Sequence, residues 1–222
     1  FGKFVESEPS PARTKTKLAG GRLWENWRIS ASGYAAVWAT ENTRDALFAA
    51  IKRKEVYATT GSRIRVRFFG GWNFSQTTLY APNFEELGYK MGVPMGGDLS
   101  DFDGTAPGFI FSAFRDPTGA NLDRVQIIKG WLDNDGKAHE KVYDVAWAGR
   151  REVDPATGKL PPIGSTINFS EGTYDNSIGE NYLSGLWVDP EFDPKLASFY
   201  YCRVIEIPRP RWTLKDSVFF NV

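Results

Sequence analysis

The period of the hydrophobic pattern changes near residue 55 of this chain. Before that point Leu47, Phe48 and Ile51 recur at helical spacing; after it Ile64, Val66 and Phe68 alternate with Arg63, Arg65 and Arg67, as in a half-buried strand. Asn42 or Thr43 can cap the helix, because a side-chain oxygen there accepts from an otherwise unpaired amide of the first turn. Asp45 falls in that first turn and Lys52, Arg53 and Lys54 in the last, matching the helix macrodipole. The pattern predicts a helix over residues 43–54, a short strand at Val56–Thr60, a turn at Gly61-Ser62 and a strand at Arg63–Phe69.

Further strands are predicted at Phe109–Phe114, Leu122–Trp131, Ala138–Trp147, Thr166–Phe169, Leu183–Val188 and Ser198–Ile207. Turn clusters separate them, and Asp133-Asn134-Asp135-Gly136 reads as a hairpin loop tolerant of positive φ. The fold class expected is α+β, mostly β: an antiparallel β-sandwich preceded by one or two helices. Residues 1–21 read as a linker or extended segment, 22–60 as a helical segment and 61–222 as the sandwich. The terminal string IPRPRWTLKD is proline-rich, which predicts an extended course rather than a helix.

Composition narrows the function more than the fold. With 41% apolar and 15% aromatic residues in 222, the chain can bury a real core. Its 27 basic residues equal its 27 acidic ones, which argues against nucleic acid as a partner, since that binding rests on a basic footprint over phosphates. No apolar run approaches the roughly 18 residues of a membrane span. Cys202 and His139 are each the sole residue of their type, so no intrachain disulfide can form.

A hydrolytic metal site needs several His or carboxylate ligands converging on one cation. His139 cannot supply that, and beside Glu140 in a predicted hairpin it reads as a solvated surface residue. No serine nucleophile is matched to it. Arg63, Arg65 and Arg67 could form an anion-binding row, but a solvated or salt-bridged outer face is the preferred reading. The acidic alternations at Asp133/Asp135 and at Asp189/Glu191/Asp193 are assigned to turn chemistry rather than calcium. Trp72, Trp131, Trp147, Trp187 and Trp212 are either core residues or a sugar-stacking surface.

Several long strings carry a family resemblance: ISASG at Ile29–Gly33, VWATENTRDALF at Val37–Phe48, KRKEVYATTG at Lys52–Gly61 and RIRVRFFGGW at Arg63–Trp72. Others are GVPMGGDL at Gly92–Leu99, the run Asp116–Trp147, NSIG at Asn176–Gly179, DPEFDP at Asp189–Pro194 and FYYCRVIEIPRPRW at Phe199–Trp212. On these the chain resembles the C-terminal part of the bacterial domain of unknown function 3604 family from about residue 22 onward, departing at Ser62, where proline is expected. That family is similar to metal-dependent hydrolases of the polymerase-and-histidinol-phosphatase type, whose His and Asp side chains hold divalent metals.

The resemblance implies a specific division of labour. This chain would hold the last helix of the hydrolase unit and the β domain after it, with the metal motifs upstream of Phe1. The expected partner is thus an N-terminal part of the same polypeptide, and the expected activity of the chain alone is none. A divalent metal is expected only in the full-length protein, with no cofactor here. Phe1 is not an initiator methionine, which fits a processed product or an excised piece. Contacts with the upstream part are placed at Trp24–Thr60, and Ser30, Ser32, Glu41, Arg44, Tyr57 and Arg63 are candidates for the wall of its cleft. The alternative is a carbohydrate- or protein-binding β-sandwich. Compartment is left open, with the periplasm or secretion preferred to the cytoplasm.

Overall fold

Helix α1 (Arg44–Lys52) begins where its capping chemistry puts it: Thr43 has extended backbone, and its side-chain oxygen accepts from the Ala46 amide. In this computed structural model, which describes residues 33–221, α1 joins two short strands, β1 (Tyr34–Val37) and β2 (Val56–Thr59). These pair antiparallel from Tyr34↔Thr59 to Val37↔Val56, so the stretch expected to be helical contains a small sheet. The strand at Tyr34–Val37 is half alanine and has little β preference of its own; its pairing to β2 makes it a strand. Only Ala50 of α1 is buried, whereas Phe48 and Ile51 of its apolar stripe are 66% and 54% exposed.

Two antiparallel sheets follow. Strands β3 (Arg65–Gly71), β4 (Val93–Pro94), β5 (Gly108–Phe114) and β8 (Tyr182–Val188) form a four-stranded sheet in the order β4-β3-β5-β8. Strands β6 (Leu122–Leu132), β7 (Ala138–Trp147) and β9 (Ser198–Glu206) form a three-stranded sheet in the order β7-β6-β9. Val66, Phe68, Phe109, Phe111 and Leu183 of the first sheet meet Leu122, Val125 and Ile127 of the second in one core cluster. The expected sandwich is this pair of layers, sealed by alternate inward-facing residues.

The four-stranded sheet is covered on its other face as well. Helices α2 (Gln76–Leu79) and α3 (Phe84–Met91) lay Leu79 and Phe84 against Phe69 and Ile110. Every residue of β5 from Gly108 to Ala113 is consequently buried, because the strand is central and has packing on both sides. The approach of α3 is close: a Cβ at Gly88 would lie 2.7 Å from the Phe69 ring.

Two sequence expectations need correction. Thr166–Phe169 is not a strand; only the isolated bridge Asn168↔Thr173 forms, and the Asn168 side-chain oxygen accepts from the Ser170 amide in a turn. The proline-rich terminus does end in a helix, α4 (Trp212–Phe220). Pro208 and Pro210 precede that helix instead of interrupting it, so their missing amides cost it no internal bond.

Candidate functional site

The two sheets part along one side of the sandwich. There β3 spends the outer edge of its backbone on neighbours: the Trp38 indole donates to the Val66 carbonyl at 2.9 Å and the Met95 amide to that of Phe68 at 3.0 Å. The Tyr57 hydroxyl donates to the Ile64 carbonyl just before the strand, at 2.9 Å. Opposite them β9 is paired on one side only, to β6. Between the two edges opens a cavity of about 1380 Å³ lined by Val66, Phe68, Phe109 and every residue from Ser198 to Ile207. Because both alternating sets of β9 residues line it, the backbone edge of β9 borders the opening.

Glycine chemistry closes one end. Gly96 has φ of 81°, and a Cβ there would fall 2.2 Å from the Lys54 carbonyl oxygen, so the loop after β4 can reach the end of the α1–β2 connection only without a side chain. At the mouth, the Ser62 hydroxyl donates to Glu206 Oε1 at 2.6 Å, and Arg209 Nε lies 3.5 Å from Glu206 Oε2. The walls are largely apolar. Burial pushes the Cys202 thiol up to about 12, so near neutral pH it is protonated and unreactive. Burial also raises the Tyr57 phenol above its ordinary value. Such a surface suits the docking of apolar groups.

A buried ion pair stands behind the wall. Lys129 Nζ is 2.6 Å from Asp189 Oδ2, with the two side chains 5% and 0% exposed. The Tyr200 hydroxyl donates to the same oxygen at 2.6 Å, the Glu191 amide donates to Oδ1 at 2.9 Å, and Lys129 donates to the Glu191 carbonyl at 2.7 Å. Burial and the Asp189 carboxylate both drive the Tyr200 phenol upward. Sequence reasoning assigned Asp189 to a plain turn; it is a turn residue, but one whose second oxygen anchors a lysine sixty residues earlier in the chain.

The sequence candidates scatter. Ser30 and Ser32 lie outside the described residues, as do Trp24 and Trp27. Glu41 and Arg44 are exposed around the start of α1, where the Thr43 hydroxyl donates to Glu41 Oε1 at 3.2 Å. Tyr57 lines the cavity. Arg63 does not line it; this residue precedes β3, and its amide donates to Asp116 Oδ2 at 2.7 Å.

Two members of the arginine row, Arg65 and Arg67, have their side chains engaged by partners. Arg67 lies 3.4 Å over the Trp38 ring, donates to the Tyr89 hydroxyl at 3.0 Å and sits 3.5 Å from the buried Glu55. Arg65 lies 5.0 Å over Phe114. His139 is likewise engaged instead of freely solvated: Nε2 is 2.6 Å from Asp133 Oδ2, and the ring stacks on Trp131 at 5.3 Å. That hydrogen bond is the main cause holding the Asp133 carboxyl below its usual range. Among the described residues, no group of three or more His, Cys, Asp or Glu side chains could hold a metal ion. None is long and apolar enough as a helix to cross a membrane.

A family model described as "Protein of unknown function (DUF3604)" matches residues 1–222, which takes in the segment read from sequence as a linker. No curated protein and no solved structure matches the chain.

Proposed function

We propose, from the premise that the chain belongs to the DUF3604 family, that it is the accessory C-terminal region of a metal-dependent hydrolase of the phosphoesterase type. In this reading it packs against a catalytic unit of the same polypeptide and shapes one wall of that unit's cleft. The carrying observation is the orientation of α1. Two of the three residues of its apolar stripe, Phe48 and Ile51, are exposed and Leu47 is half-buried, while its one buried residue is Ala50. An amphipathic helix that leaves most of its apolar stripe uncovered by the described residues is suited to dock on another surface.

The divalent metal implied by the family resemblance does not fit the described residues. The sole histidine is tied to Asp133 and stacked on Trp131, and the buried carboxylates Asp189 and Glu55 are already paired with cations. No chemical step is therefore assigned to this chain; its role is packing and shape.

Two measurements test the reading. The purified chain, loaded with manganese or zinc and offered a chromogenic phosphate mono- and diester, turns neither over; metal-dependent turnover would sink the proposal. Phe48→Asp with Ile51→Asp leaves the melting point of the isolated chain unchanged but lowers that of the full-length polypeptide. Equal behaviour of the two contexts would remove the docking role of α1.

A further inference from the structure

The outer face of the three-stranded sheet carries an aromatic pair that the core does not account for, on the outward side of the β9 edge that borders the cleft. Phe199 and Tyr201 occupy alternate positions on β9 and so project from one face. Their ring planes are parallel to within 12°, with centroids 6.4 Å apart. Across the sheet their partners are Gly130 and Ile128 on β6. A Cβ at Gly130 would come 2.3 Å from the distal carbon of the Phe199 ring, so glycine is what lets that ring settle on the sheet. Ile128 beneath the pair is fully buried, while Phe199 and Tyr201 remain 61% and 40% exposed. The rings are supported from below and open from above.

Polar groups border this platform. Arg203, the next outward residue of β9, donates to the Tyr201 hydroxyl at 3.3 Å and to Gln126 Oε1 at 3.5 Å, and Gln126 donates to Asp144 at 2.8 Å. On the far strand Glu140 stands opposite Gly130, exposed. A hollow of about 580 Å³, lined by Phe199, Gly130, Leu132 and Glu140, opens beside the pair.

We propose that this face is a carbohydrate-binding site: a pyranose lays its C–H face on the Phe199–Tyr201 pair and hydrogen-bonds through its hydroxyls to Arg203 and Glu140. A sugar ring matches the site in having one flat apolar face and a polar circumference. A protein partner fits less well, because a stable interface takes about 800 Å² from each side, and here the apolar surface gives way at once to Glu140, Gln126 and Arg203. A stacked nucleotide fits less well too, since Arg203 is already engaged by the Tyr201 hydroxyl and Gln126, and the exposed Glu140 across the platform repels a phosphate. The site is independent of the accessory role of α1, and either can fail alone.

The test titrates the 222-residue chain by calorimetry with cellohexaose, xylohexaose, mannohexaose and chitohexaose. At least one binds with a millimolar or tighter Kd, and Tyr201→Ala and Phe199→Ala each weaken it by about tenfold. Phe199→Tyr preserves binding, and Arg203→Met, which keeps the platform, weakens it. Circular dichroism of each variant secures the comparison. The proposal is overturned if none of the four sugars binds, or if binding survives both alanine variants intact. It also falls if the chain self-associates and Tyr201→Ala restores the monomer in sedimentation.

Discussion

Replacing Lys129 by methionine removes one member of an ion pair that water cannot rescue. Lys129 and Asp189 are 5% and 0% exposed and 2.6 Å apart, so Lys129→Met leaves a carboxylate in the interior with its counter-charge gone. Breaking a buried pair from one side costs about 3–5 kcal/mol, far above the ~0–1 kcal/mol of a surface bridge. The structure places this case near the lower bound, about 3 kcal/mol, because the Tyr200 hydroxyl and the Glu191 amide still donate to Asp189. Urea unfolding at pH 7 reads the loss directly. In thermal melts it amounts to about 6–12 °C for a chain of this size. Adding Asp189→Asn to Lys129→Met removes the orphaned charge, keeps an amide oxygen to accept from the Glu191 amide and turns an NH2 donor toward the Tyr200 hydroxyl oxygen, and recovers at least about 1 kcal/mol. A single-variant loss under about 1 kcal/mol would show that the pair is hydrated in solution and would refute the argument. So would a double variant less stable than the single one.

Three further outcomes follow from the titrating groups. Burial opposes ionisation of Asp116, but the Arg63 and Thr118 amides and the Thr118 hydroxyl outweigh it and hold the carboxyl below its ordinary value of 3.8. A depressed carboxyl stabilises the fold above its unfolded pKa and loses that contribution as pH falls through the folded one. The wild type accordingly loses more stability between pH 5 and pH 3 than Asp116→Asn does; equal losses in urea titrations at the two pH values would contradict this. At the alkaline end the thiol of Cys202 is raised from 9.0 to about 12 by burial. A raised group stabilises below its unfolded pKa and stops doing so as pH climbs through the folded one, so Cys202 makes stability decline above about pH 9. In the same range the half-buried native thiol, held protonated, reacts with a disulfide reagent more slowly than the thiol of the unfolded chain, and equal rates would contradict the raised pKa.

What the sequence determined about this protein is what short-range physics determines. The Thr43 cap, the dipole-matched charges of α1, the β6–β7 hairpin around Asn134 and the inward alternation of Val66 and Phe68 all depend on residues within about a dozen positions of each other. The signs of α2 and α3 were also local, a capping box from Ser75 to Thr78 and Glu85, Glu86 and Lys90 at matching helix ends, but these helices are too short to show a clear period. Of the residues proposed from sequence for the cleft wall, Tyr57 alone among those described lines the cavity.

Tertiary structure decided the rest. It brought Lys129 to Asp189, Arg67 to Trp38, and Phe199 down onto Gly130, across separations of tens of residues that no local pattern encodes. It also decided which alternation counts as inside. Phe69 and Arg67 share a face of β3, yet one is sealed under α3 and the other stays at the edge beside Tyr89, because a strand fixes the face and only its neighbours fix the burial.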